Sequence, residues 1–336
     1  VAMDTIIQSL VPDASHVMSA ISTWVKVKKE AVISGQEQFV LVIFSKAVEK
    51  MQISGLDPII LLKAELGDIR KFCGRKMCQA EMSLLEEIYN KSGTSVDKAT
   101  ALVEMTEVLT YIQNHNRSPN NCLDQAIELL LKEESVEGLP VLAVAYFWKY
   151  LLQQEEALKY HQKDTEACVD CDKDEVCGPD GENNKDKESG SSLYTFNMEK
   201  STVVYLDKAL QAWELYSMSD SQELIAVDRQ FVHTLMLMVT VYLAMRKPNS
   251  ALKAMKIMQM VSGDQTERKL KQQITLVNFR LLIQLGKFEE AQQYMSNTEL
   301  DSKTSGSLAV SQLLQAELAL NMGQVNKGVE ILSQVL

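Results

Sequence analysis

Leu285-Gly286-Lys287-Phe288-Glu289-Glu290-Ala291 is the stretch that decides the fold. Apolar residues at three- and four-residue spacing precede it and resume after it, the mark of two amphipathic helices. A glycine at the join ends the first helix, because only glycine enters the left-handed region without steric cost. The alanine five residues on is small, which lets two antiparallel helices approach closely.

Outward from this point the pattern recurs. Gly35, Gly74 and Gly323 also sit between apolar-periodic stretches, and Lys247-Pro248 does so in another pair. Gly35 to Gly74 is 39 residues, Lys247 to Gly286 is 39, and Gly286 to Gly323 is 37. Ala251 follows Arg246, and Gly328 follows Gly323, at the same five-residue offset as Ala291. The turn, with Met295 at the next core position, matches that of a tetratricopeptide repeat, whose period is about 34 residues. Leu123-Asp124-Gln125-Ala126-Ile127 and Leu206-Asp207-Lys208-Ala209-Leu210 match the start of its second helix. The spacing predicts helices over 58–73, 75–91, 96–113, 121–134 and 139–163. It predicts further ones over 193–217, 221–246, 248–261, 265–285, 287–296, 305–322 and 324–335. Asp57-Pro58 reads as N-cap and first helical residue. The expected fold is all-α, a TPR-like helical-repeat superhelix, or α-solenoid.

Composition agrees. Gly and Pro together are 20 of 336 residues, about half the usual ~12%, too few for the turns of a sheet-rich fold. Hydrophobic residues make up 46%, enough for a sizeable core. The net charge is -11, which argues against nucleic-acid binding, since that shows as a basic patch on a basic domain. Residues 164–188 alone carry -7, from ten acids against three lysines, leaving -4 for everything else. With Gly178, Pro179 and Gly181, residues 164–192 read as a disordered acidic insertion. It divides the repeats into halves at 1–163 and 193–336. The longest apolar run, Phe231 to Met245, is too short to span a bilayer. Six scattered cysteines form no disulfide framework. A soluble, reducing, intracellular setting is expected. The chain begins at Val1 and stops within a helical pattern at Leu336, as a piece of something longer would.

The search for chemistry yields little. Cys168-x-x-Cys171 with Cys177 and His161 could nominally hold zinc, but the second half of a structural-zinc spacing is missing; free thiols are the reading preferred. Asp170-x-Asp172-x-Asp174 opens like a calcium loop, yet Glu175 stands where glycine is needed and Gly181 where glutamate is needed. Met236, Met238, Met245, Met255, Met258 and Met260 fall on helical stripes and read as core. Lys26, Lys28 and Lys29, and Arg70, Lys71, Arg75 and Lys76, form basic spots that read first as solvated faces. His233, inside an apolar stretch, reads as core. No GxSxG, GxxxxGK or HExxH occurs.

Thr23-Trp24-Val25-Lys26-Val27-Lys28, then Gly35, then Leu56-Asp57-Pro58, resemble the helical region of vertebrate separases. So do Asn121-Cys122-Leu123-Asp124-Gln125-Ala126-Ile127 and Val141-Leu142-Ala143-Val144-Ala145-Tyr146-Phe147-Trp148. Leu206 to Trp213, Lys247 to Leu252 and Ile257 to Ser262 continue the resemblance in the same order. It covers about Ser22 to Leu336.

Separases are large intracellular cysteine endopeptidases that cleave the kleisin subunit of cohesin in sister chromatid separation and are restrained by securin. Their caspase-like domain lies C-terminal to the helical region, with His-Gly and Gly-Cys motifs. Here His16, His115, His161 and His233 are followed by Val17, Asn116, Gln162 and Thr234, and no cysteine follows a glycine. The resemblance therefore implies a non-catalytic scaffold without cofactors. It implies securin as partner, the cohesin kleisin through the full-length protein, and residence in the cytoplasm and, in mitosis, the nucleus and chromosomes.

In a superhelix the first helix of each repeat lines the concave face. The repeat frame puts Lys29, Asp68, Lys71, Gln273, Arg280 and Glu317 there, polar where core would be apolar. Two other readings remain open: a generic TPR-like adaptor, and a metal-dependent enzyme using the Cys/His set.

Overall fold

The computed structural model describes residues 57–72, 78–112, 116–170, 200–219, 229–262, 268–296 and 305–335. Among these it is all-helical, with twelve α-helices and one 3₁₀ turn. Lys29, Trp24, Gly35 and Gly74 lie outside the described residues, as do residues 171–199. The chain forms two compact units, Val1–Ser135 and Val136–Leu336.

In the first unit, α1 (Ile59–Phe72), α2 (Cys78–Lys91), α3 (Ser95–Leu109) and α4 (Pro119–Glu133) pack in sequence order. Asp57 caps α1 as its sequence foretells, its Oδ1 accepting from Ile59 N at 2.9 Å. Thr94 caps α3, accepting from Asp97 N at 3.1 Å. Arg70 clamps three helices. Its guanidinium reaches Glu81 of α2 at 2.5 Å and Glu104 of α3 at 3.3 Å. Burial opposes its charge, but Glu104 and Glu81 outweigh that and push its pKa up. Arg70 is thus spent inside the fold and is not part of a solvated basic face.

The second unit holds α5 (Leu139–Asp170), α6 (Lys200–Ser217), α7 (Arg229–Ala244), α8 (Pro248–Val261), α9 (Arg268–Gln284), α10 (Phe288–Ser296), α11 (Ser305–Asn321) and α12 (Val325–Val335). They pair as hairpins, α5 with α6 through α11 with α12. The first helices stack in a row, α5 on α7, α7 on α9 and α9 on α11.

Three of the turns are the same structure. Arg246, Gly286 and Gly323 all have positive φ, at 54°, 72° and 75°. Each is followed by a long-range cap bond: Lys247 N donates to Tyr242 O, Lys287 N to Leu282 O, and Gln324 N to Ala319 O. Arg246 N, Gly286 N and Gly323 N donate to Leu243 O, Ile283 O and Leu320 O. This pair of bonds is the Schellman motif. The small residues five positions on are all buried, Ala251 and Ala291 completely. A Cβ on Gly328 would lie 2.8 Å from Leu320, so the two helices touch there through a missing methyl group.

The core follows the predicted stripes. Phe279, Ile283, Ala291, Leu314 and Leu318 form one cluster across α9, α10 and α11. Trp213 is fully buried, with the rings of Tyr216 and Phe231 edge-on at 6.1 and 5.8 Å. Met236, Met238, Met255 and Met258 are core, whereas Met260 is 57% exposed.

Two further expectations need correction. α5 continues to Asp170, so residues 164–170 are helical and not insertion. A growing helix gains one hydrogen bond per residue fixed, and Asp164 to Asp170 contains no glycine or proline; the breakers Gly178 and Pro179 come later. His233 is exposed on α7 and not core.

The helices flanking the acidic segment are packed neighbours, as the repeat requires. Lys149 lies over the Tyr205 ring at 5.4 Å and Lys208 over Tyr146 at 5.5 Å. Rising positions in α5 thus meet falling positions in α6, an antiparallel pair.

Candidate protein-binding face

The turn residues Arg246, Gly286 and Gly323 give a common origin for α7, α9 and α11. Thirteen and six residues before them stand His233 and Thr240, Gln273 and Arg280, and Val310 and Glu317. The first five are exposed and Glu317 is half-buried. Seven residues are two helical turns, so each pair lies on one stripe of its helix. Leu237, between His233 and Thr240, is also exposed, and Val277 between Gln273 and Arg280 is half-buried. The row of first helices therefore carries aligned solvent-facing stripes of mixed polarity.

Of the six residues placed on this face by sequence, Gln273, Arg280 and Glu317 share it. Arg280 and Glu317 occupy the same position in successive repeats, with opposite charge. Asp68 and Lys71 lie on α1, in the other unit. Lys29 lies outside the described residues. The sequence reading missed His233, Leu237 and Val310. Counting back from the turn would have found His233, since it aligns with Gln273.

The hydroxyl of Thr240 donates to Met236 O at 2.9 Å, so it offers a partner only an acceptor. Gln284 donates through Nε2 to Leu243 O at 3.0 Å, stitching α9 to the end of α7. At the equivalent place in the next repeat stands Asn321, and its amide donates to Glu317 O of its own helix at 2.8 Å.

Beneath the face, Tyr242 is fully buried and donates to Leu206 O at 3.1 Å and Asp207 Oδ1 at 3.2 Å. Burial, reinforced by Asp207, raises its pKa beyond the ordinary tyrosine range.

A cleft of about 240 Å³ opens among α9 to α12, floored by Phe279 and Leu318 and rimmed by Gln292, Gln315 and Lys327. It is smaller than the ~300–1,000 Å³ of small-molecule sites. Among the described residues, no group of three or more His, Cys, Asp or Glu side chains gathers to hold a metal. Buried Cys122 has its thiol pKa raised by burial, which makes it a poor nucleophile. No described helix is long and apolar enough to cross a membrane.

Stacked helical hairpins carrying an aligned exposed stripe define an all-α helical-repeat protein. The chain is similar to mouse Separin, at 25% identity over 350 residues, a match spanning 96% of this chain. It covers 16% of Separin's length. No protein-family model matches.

Proposed function

We propose that the chain is a non-catalytic scaffold segment of a separase, and that its first-helix face binds securin as an extended peptide while helping to position regulators or the cohesin kleisin. The protease activity of such a protein resides outside this segment, and the segment acts with it in the cytoplasm and at mitotic chromosomes. The observation that carries the reading is the alignment of exposed residues across α7, α9 and α11. It belongs to a chain similar to Separin over nearly its whole length. Main-chain groups of an extended peptide can be held by His233, Gln273, Arg280 and Glu317, while Leu237 and Val310 accept apolar side chains.

Capture of purified securin by the purified chain tests this. Binding is expected to weaken with salt if Arg280 contributes. Gln273→Ala with Arg280→Glu should lower affinity by about tenfold, the effect of ~1.4 kcal/mol, with the helical circular dichroism unchanged. Absence of securin capture, or capture indifferent to both changes, contradicts the proposal.

A further inference from the structure

Positions ten and three residues before the turn have a consistent fate in the second unit. In α7 they are Met236 and Leu243, 7% and 1% exposed. In α9 they are Leu276 and Ile283, which pack with Leu314 and Leu318 of α11. For α9 the next first helix, α11, is what covers them. In α11 they are Leu313 and Leu320, apolar again, but 46% and 42% exposed. An end repeat that closes an array carries a polar outer face. This one carries the residues of an internal repeat.

We propose that the exposed apolar side of α11 seats a further helical hairpin, supplied by polypeptide of the same chain beyond Leu336. Its first helix would lie on α11 as α11 lies on α9. Continuity with the α7–α9 and α9–α11 interfaces sets this occupant apart from others. The exposed positions are those that a following first helix covers, in the same register. A second copy related by a two-fold axis would instead set α11 against α11, an arrangement found nowhere in the row. The matched span is 16% of Separin, so a protein of that kind has polypeptide to supply the hairpin.

The test compares the 336-residue chain with the natural polypeptide extended by about one repeat period of ~40 residues. Both are made as wild type and as Leu313→Ser/Leu320→Ser. Amide exchange in α11 is expected to slow by about tenfold or more on extension. The double substitution should erase that protection and lower the Tm of the extended chain by at least about 4 °C. In the shorter chain the loss should be clearly smaller, limited to the contact that Leu320 makes with Gly328 of its own hairpin. Exchange in α11 indifferent to the extension overturns the proposal, whatever the variants do. So does a natural polypeptide ending at Leu336. A shorter chain that sediments as a dimer, made monomeric by the double substitution, assigns the face to a second copy and equally overturns it. Securin capture is independent of every one of these readouts.

Discussion

Tyr242 shows how one side chain ties repeats together. Its ring fills the core of α7, and its hydroxyl reaches Leu206 O and Asp207 on α6. Tyr242→Phe keeps the ring and removes the bond, so it should cost about 1 kcal/mol by urea denaturation at neutral pH. The pH dependence has a definite sign. The folded state holds a proton that the unfolded chain releases above about pH 10. This contribution is therefore complete below that pH and is lost as pH rises through the higher folded value. The Phe variant should show a shallower alkaline loss of stability than wild type; equal slopes would place the hydroxyl in water. Nothing in the sequence singled this tyrosine out, because its partner lies 36 residues away and hydropathy patterning does not register side-chain hydrogen bonds. His233 was misread for a related reason. Its helix is apolar nearly all round, and Leu237 occupies the exposed stripe along with it, so periodicity alone did not separate the two faces.

Helices are where the sequence was most legible. The three- and four-residue spacing placed α8 at its observed bounds, and Asp57, Pro58, Gly286 and Gly323 marked helix ends through chemistry that acts within a few residues. Arg246 was less legible, since an arginine carries no mark of a left-handed turn, yet its cap bonds duplicate those of the two glycines. Gly286→Ala puts a Cβ where no heavy atom lies within 4 Å, so only the backbone resists. That costs about 1–2 kcal/mol. Arg246→Ala, at a position already bearing that strain, should change stability by under about 0.5 kcal/mol. Thermal melts of the two variants measure the difference, and similar losses would mean the turns are not equivalent. The candidate face was half legible. Arg280 and Glu317 stood out as polar residues on apolar helices, but Leu237 and Val310, exposed on the same stripe, look like core to hydropathy patterning.

At the scale of the whole molecule, the pairing of α5 with α6 means that residues 171–199 join two ends already held by packing. Loop-closure cost grows slowly with length. Replacing 171–199 by a short Gly/Ser link is therefore expected to shift stability by no more than about 1 kcal/mol, and chelators should leave the intact chain's melt unmoved. Unfolding on deletion would show that the segment is structural and would revive the Cys168, Cys171, Cys177 and His161 metal set. The stitching between repeats is uneven, and this decides where the second unit gives way under load. Gln284 spans from α9 to the end of α7, while Asn321, one methylene shorter, folds back onto α11. Pulled from its ends, the second unit should rupture first at the seam without this amide bond, peeling off α11 and α12 as a single hairpin while α7 to α10 hold. Optical tweezers would record that as a short first extension. Gln284→Ala should erase the hierarchy, turning a two-stage rip into one.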